Sequence, residues 1–430
     1  MIIDLTVTNF RSFQSEQMFS MNVETARDRH PGNFAEIEDG KLAVLRTAAI
    51  LGANASGKSN ILSAFRALQW MVLESASRKE GQRIPPYEPY RLSKANIEAP
   101  VRLEIEFVVP SGIRYRYEIA YLSDRIVEER LSSFARRQRA LIFERGADDN
   151  WETIKFGGTY KGGHRRLPFF QNVAYLSRAG NDASAPEAIR EIRRYFERWS
   201  LIVPGQMIVM PRYLDDPEHM RTVSELICLA DTGIATVRRE VREDTSNLRF
   251  PSDMPDAVKE VLIEKNSVDY KFSIKSDDGE MIDFDQDEMS DGTIKLLETL
   301  PLIIDSLKNG SVTFFDELDA NLHTDLLSLI LQIYNDPIVN AKNAQLIFTT
   351  HDTNVLDSNI LRRDQIWFVS KSSGSSSVKS LDEYEKNRVR HDSPFEAFYR
   401  DGRLGAVPKF SYARVREVIL ASIEAGEANA

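Results

Sequence analysis

The sequence predicts an α/β fold, a mixed sheet flanked by helices, and three observations carry that prediction. Thr47-Ala-Ala-Ile-Leu51 reads as a buried strand, leads into a loop opening at Gly52, and is followed by Ile61, Leu62, Phe65, Leu68 and Val72 at helical spacing. The same grammar returns near the other end of the chain. A helix over 293–308, a buried strand at Val312-Thr-Phe-Phe315, a helix over 322–334 and buried strands at 346–349 and 365–369 follow one another. Between these blocks, Val101, Leu103, Ile105 and Phe107 and then Tyr115, Tyr117 and Ile119 alternate with period two. An antiparallel β meander over 101–156 is therefore expected, with turns at Pro110-Ser-Gly112 and at 146–150.

Taken in order, the opening MIIDLTVTNF alternates and is β-branched, which predicts a strand running into Arg11-Ser-Phe13. After the meander, 178–184 reads as a loop, and Ile189, Ile192, Phe196 and Trp199 at helical spacing predict a helical insertion. A β-like stretch at 268–285 precedes the second α/β block, and the serine-rich 370–377 reads as a hairpin tip. Three units are expected: an N-terminal lobe over 1–165, a helical insertion for dimerisation or partner binding over 166–265, and a C-terminal lobe over 266–430. No internal repeat or long heptad array points to an extended coiled coil.

Apolar residues at 42% and charged residues at 28% are ordinary globular usage, which excludes a chain that is mainly disordered. No run reaches about 18 apolar residues, and Met1-Ile-Ile-Asp4 has no basic leader, so a cytoplasmic protein without a membrane span is expected. The single cysteine, Cys228, lies on an apolar helical pattern, where it acts as a small hydrophobe. A net charge of −10 repels polyanions, so nucleic acid could be held only by a local patch. Arg190, Arg193, Arg194 and Arg198 form one candidate and Arg136-Arg137-Gln138-Arg139 another; interleaved Glu187, Glu191 and Glu197 favour a solvated helix face.

The loop after the first buried strand, Gly52-Ala53-Asn54-Ala55-Ser56-Gly57-Lys58-Ser59, has the pattern G-x-x-x-x-G-K-[ST] in its required strand-to-helix setting. Backbone N–H groups and a helix N-terminus then converge on phosphate, Lys58 meets the β/γ-phosphates, and Ser59 completes a Mg²⁺ shell. Nucleotide contacts are expected from this loop and from Asn60 and Arg11. Asp316 and Glu317 end the buried strand at 312–315. They suit a magnesium ligand and a base acting on water, though they also suit a solvated strand end or a helix start.

Ser290-Asp291-Gly292-Thr293 stands where an ABC signature would, and His351 in Ile347-Phe-Thr-Thr-His351-Asp352 stands where a switch histidine follows its strand. Each has a plainer reading, a helix N-cap and a helix-start histidine. With Asn9-Phe10-Arg11-Ser12, which looks like the start of RecF and SMC heads, the chain resembles the ABC-type AAA-like ATPases of bacterial phage defence. These include OLD-like, abortive-infection and anti-restriction-induced (PARIS) ATPases. The segments 363–369 and 399–408 resemble that family's closing strand and glycine-rich tail. The resemblance implies ATP and Mg²⁺ as cofactors, catalysis by Glu317, His351 and Lys58, and magnesium held by Ser59 and Asp316. It also implies a signature, Ser290 to Thr293, that caps nucleotide held by a second copy in a head-to-head dimer or larger homo-oligomer.

The chain departs from that pattern at three places. Asp291 replaces a signature glycine, His323 ends the D-loop segment Leu318-Asp-Ala-Asn-Leu-His323 where aspartate is usual, and no glutamine fills the Q-loop near 84–90. The 79 residues after His351 contain no Asp-x-Asp of a Toprim nuclease, and the histidines show no H-E-x-x-H spacing. The resulting expectation is an ATP-driven sensor or switch controlling a separate effector, such as a Toprim-like or HNH nuclease. Two alternatives stand beside it: a RecF-like repair ATPase that grips DNA directly, and an ATP-binding scaffold with little hydrolysis.

Overall fold

The computed structural model describes residues 1–24, 27–135, 138–203, 212–230, 233–241, 254, 259, 268–320, 322–384, 395–401, 403–404 and 412–427. Seven strands form an antiparallel sheet: β1 (Ile2–Thr8) and β2 (Gln17–Ser20), then the meander β6 (Val101–Val108), β7 (Arg114–Tyr121), β8 (Ile126–Ala135), β9 (Gln138–Gly146) and β10 (Lys155–Phe156). Their order is β10-β9-β8-β7-β6-β1-β2. A hairpin of β3 (Phe34–Ile37) and β4 (Leu42–Leu45) stands apart.

The second sheet is assembled from both ends of the chain. It holds β5 (Thr47–Leu51), β11 (Ser200–Ile202), β15 (Val312–Phe315), β16 (Gln345–Thr349), β17 (Ile366–Ser372) and β18 (Ser375–Ser380) in the order β11-β15-β16-β5-β17-β18. All neighbours are parallel except the β17–β18 hairpin, whose tip is the serine-rich segment. A third sheet contains β12 (Ile234–Val241), β13 (Val268–Lys275) and β14 (Met281–Phe284). The helices used below are α1 (Lys58–Leu73), α2 (Lys94–Glu98), α3 (Tyr175–Gly180), α4 (Glu187–Glu197), α5 (Pro217–Leu229), α6 (Asp291–Asn309) and α7 (Thr324–Asn335).

Side-chain alternation explains the layering. On the six-stranded sheet Ala48, Ile50, Phe314 and Ile347 face a core shared with α1 and the antiparallel sheet, while Ala49, Leu51, Phe315, Leu346 and Phe348 face α7. Strands buried on both faces read as unbroken apolar runs, as these do. α1 is wedged between the two large sheets through Ile61, Leu62, Phe65, Leu68 and Met71. Gln345, fully buried in β16, spans both sheets: its side chain accepts from Ile2 N at 2.5 Å and donates to Ile2 O and Leu45 O.

The segment 166–265 is not wholly helical among its described residues. It supplies α3, α4 and α5, but β11 joins the central sheet beside β15, and β12 pairs with β13 across a register that begins at Ile234↔Ile274. Part of 178–184, read as loop, belongs to α3, because Leu176 and Ala179 bury into the core around α1. Residues 204–211 and 242–253 of the segment lie outside the described residues, as do Arg136, Arg137 and the tail positions 405–408. α5, β12, β13 and the α6 face carrying Leu296, Leu297 and Leu300 form a third core, against which half-buried Cys228 packs. No helix among the described residues is long and apolar enough to cross a membrane.

Candidate active site

Parallel strands place their C-terminal ends at one edge of a sheet, and there β5, β15 and β16 deliver their following loops side by side. Phe315 is in register with Phe348, and Thr349 with Ile50, so Asp316, Thr349 and Gly52 emerge together. Asp316 shares its face with Phe314 and Thr349 with Ile347, the face turned toward α1.

The loop from Gly52 to Ser59 closes around backbone. A Cβ on Gly52 would lie 2.3 Å from Val369 O, and one on Gly57 would meet Ser376 Oγ at 2.6 Å and Ser12 Oγ at 2.7 Å. Gly57, at φ 111°, caps α1 without a side-chain oxygen, which leaves the N–H groups of the first turn for an anion. Ser56 Oγ is buried with no hydrogen-bond partner among the described residues. The cradle therefore fits a nucleotide phosphate.

Lys58 opens α1, and its ammonium donates to Gly52 O at 2.9 Å and Ala53 O at 3.2 Å. Burial lowers its pKa from the usual lysine range, and the carboxylates of Glu317, Asp316 and Asp319 oppose the shift. Removing that charge relieves desolvation but forfeits two hydrogen bonds of about 1 kcal/mol each. For Lys58→Met we therefore expect, by scanning fluorimetry, an unfolding free energy within about 1 kcal/mol of wild type without nucleotide. The stabilisation of about 2.7 kcal/mol that ATP gives the wild type at about 100 times its Kd should be absent. A full ATP-induced shift in the variant would remove Lys58 from the phosphate site.

Ser59 Oγ donates to Asp316 Oδ1 at 2.9 Å, an arrangement whose oxygens suit a hard divalent cation. Glu317 follows at φ 55°, and its Oε1 lies 3.8 Å from His351 Nε2. Two residues not singled out from sequence complete the cluster. Thr349 Oγ1 donates to Asp316 Oδ1 at 2.6 Å and accepts from Glu317 N at 2.7 Å. Asp319 Oδ2 accepts from His351 N at 3.1 Å, and its Oδ1 is buried without a partner among the described residues. The available signals were a polar residue ending an apolar strand and a third carboxylate two positions after Glu317.

Arg11 lies beside this centre. Asn9, at φ 55°, donates to Asn96 O of α2 and accepts from Tyr90 N, which turns the chain after β1 toward α1. Arg11 then meets Glu88 at 2.7 Å, Ser63 Oγ at 2.5 Å and Asn60 Oδ1 at 3.4 Å. Arg11, Asn60, Tyr87, Tyr90, Arg91 and Lys371 are among the walls of a groove of 810 Å³.

The signature residues stand elsewhere in the chain. Ser290 caps α6, accepting from Thr293 N at 3.2 Å with the two hydroxyls 2.9 Å apart, while the body of α6 packs into the third core. His323 caps α7 by accepting from Asp325 N, which gives the D-loop position a helix-capping role; Asn321 is outside the described residues. Three of the four arginines of the α4 patch are ion-paired, Arg190 and Arg194 sharing Glu187 and Arg193 meeting Glu197 at 2.8 Å, while Arg198 at the end of the helix is exposed; Arg139 of the other patch pairs with Glu118.

The structure is similar to the SMC head domain from Thermotoga maritima, with 15% identity, a TM-score of 0.41 and coverage of 88% of this chain and 98% of that one. It is also similar to an Smc head domain with an extended coiled coil bound to the C-terminal domain of ScpA, derived from Pyrococcus furiosus (14%, TM-score 0.42, 88% and 96%). The recombination mediator protein RecF of the RecFOR pathway aligns at 12% identity and TM-score 0.36, over 88% of this chain and 98% of that one. No curated protein matches the sequence. Residues 48–357, a span that holds the phosphate loop, Asp316, Glu317 and His351, match the family model described as "AAA domain, putative AbiEii toxin, Type IV TA system". The chain thus belongs to the AAA_21 family of AAA-type ATPase domains.

Proposed function

We propose that the chain is an ATP-binding and ATP-hydrolysing switch of a cytoplasmic anti-phage defence system, acting on a separate effector protein. The ATPase part of this reading is carried by the meeting of Ser59, Asp316, Glu317 and His351 at three adjacent strand ends beside the Lys58 loop. Lys58 and the N-terminus of α1 bind the triphosphate, Ser59 and Asp316 hold Mg²⁺, and the groove beside Arg11 and Asn60 takes the nucleoside. Magnesium held there would supply charge neutralisation to the transferring phosphoryl group. Glu317 orients and deprotonates water, and His351 lies close enough to fix the carboxylate that does so. Release of phosphate from ATP by the purified chain with Mg²⁺, lost in Glu317→Gln, tests the reading.

Nucleotide state passes between copies. Ser290 and Thr293 bond to each other at the head of a helix rooted in the third core, a geometry suited to capping the phosphate held by a second copy. Mixing Ser290→Arg protein with Lys58→Ala protein leaves one intact composite site per mixed dimer, so activity should return toward half of wild type per mixed dimer. Mixed dimers with no activity would place the whole site within one chain.

The family description names a toxin–antitoxin system, which supports a protein partner for the chain. Ion-paired arginines on α4 favour a protein effector over direct DNA gripping. With ATP and Mg²⁺ or Mn²⁺, the purified chain is expected to leave DNA and RNA intact, and toxicity in cells to require the linked effector. Metal-dependent cleavage by this chain alone, abolished by substitutions within it, would overturn that division of labour.

A further inference from the structure

We propose that Thr349 is a positioning residue for hydrolysis: its hydroxyl fixes the Asp316–Glu317 pair in working orientation. The proposal rests on the reading of these two carboxylates as the magnesium- and water-directing groups. Thr349 is 0% exposed at the end of β16, beneath the site, so it acts through its neighbours. Its one proton goes to Asp316 Oδ1 at 2.6 Å, and its oxygen accepts the Glu317 N–H at 2.7 Å. A single side chain thereby sets the direction of the first carboxylate and the backbone of the second.

The second of those effects matters because Glu317 sits at φ 55°, a region that residues with a Cβ seldom occupy without external support. Three other bonds frame the same turn: Leu318 N to Thr349 O at 3.1 Å, Ala320 N to Glu317 O at 3.0 Å, and His351 N to Asp319 Oδ2 at 3.1 Å. None of them holds the Glu317 N–H itself. On Asp316, the Thr349 and Ser59 hydroxyls converge on the same oxygen, Oδ1. If Ser59 turns its oxygen toward a cation, Thr349 remains to hold the carboxylate. A β-branched side chain suits the task, since its χ1 is stiff.

Thr349→Val keeps shape and burial and removes only the hydroxyl, and Thr349→Ser restores it. In Thr349→Val we expect kcat to fall about 10- to 100-fold. KM and the Kd of a fluorescent ATP analogue should stay within about 3-fold, and Thr349→Ser should recover to within about 3-fold of wild type. Amide hydrogen exchange at Glu317 should accelerate at least about 10-fold in the valine variant and not in the serine variant. Wild-type turnover in Thr349→Val overturns the proposal, as does a loss of ATP affinity that matches the loss of kcat, or a serine variant as impaired as valine. If the wild-type chain proves to have no turnover, the hydrolysis reading fails and exchange at Glu317 decides alone: protection lost only in valine supports the tie, and equal exchange in all three overturns it.

Discussion

Glu317→Gln is expected to bind ATP as wild type does and to lose hydrolysis by about 10² to 10⁴, the range associated with removing a general base. The amide has the carboxylate's shape, so the turn at Glu317, held through its N–H by Thr349, stays as it is. What disappears is the negative charge that we propose accepts the water's proton and that lies 3.8 Å from His351 Nε2. Because the proposed role of His351 runs through that carboxylate, the two substitutions should be strongly non-additive. His351→Ala should lower turnover substantially in the wild type and change it little in the Glu317→Gln background. Measured by single-turnover phosphate release alongside ATP binding, unchanged hydrolysis in Glu317→Gln would remove it from the mechanism. An ATP-loaded but inert variant should also accumulate as the closed dimer, visible by light scattering.

The parts of this site that were legible in sequence are local. Eight consecutive residues from Gly52 to Ser59 carry the phosphate cradle, and Asp316 and Glu317 abut an apolar strand, so composition and spacing suffice to find them. Thr349 was not legible, because its partner lies 33 residues away and is reached only through the register of two parallel strands. Gln345 is a similar case. A buried glutamine in an apolar strand breaks the pattern, and its reason, backbone groups of Ile2 and Leu45, lies some 300 residues away in sequence. The strands in 166–265 were hidden for different reasons. β11 has only three residues, too few to display a period, and β12 alternates imperfectly because its register shifts between Ile234 and Thr236, which leaves the buried Ile234 and Val237 three positions apart.

The second large effect concerns stability and lies away from the nucleotide. Glu129 and Arg145, 0% and 3% exposed, form an ion pair at 2.9 Å between β8 and β9. The Glu129 carboxylate also accepts from the Tyr117 hydroxyl at 3.0 Å and from Tyr175 N and Leu176 N at the start of α3. Arg145 reaches Val173 O at 2.5 Å and lies 4.6 Å from the Phe169 ring centre. The ion pair and the Tyr117 bond tie β7, β8 and β9 together within the meander, while the bonds to Tyr175 N, Leu176 N and Val173 O cross to the segment leading into α3, which in turn packs on α1. Removing one member leaves the other charge buried and unpaired, at a cost of about 3–5 kcal/mol. Arg145→Met should therefore lower the denaturant midpoint sharply, because about 3–5 kcal/mol is a fifth or more of a typical domain's total stability of about 5–15 kcal/mol. Glu129→Leu combined with Arg145→Met removes both charges and should be more stable than Arg145→Met alone, though below wild type, because Tyr175 N, Leu176 N and the Tyr117 hydroxyl keep no acceptor. The folded fraction of each variant should hydrolyse ATP at the wild-type rate, since none of these groups touches the loop from Gly52 to Ser59. A double variant less stable than Arg145→Met would show that the carboxylate's bonds to Tyr175 N, Leu176 N and the Tyr117 hydroxyl, and not its charge pairing with Arg145, dominate the stability of this cluster.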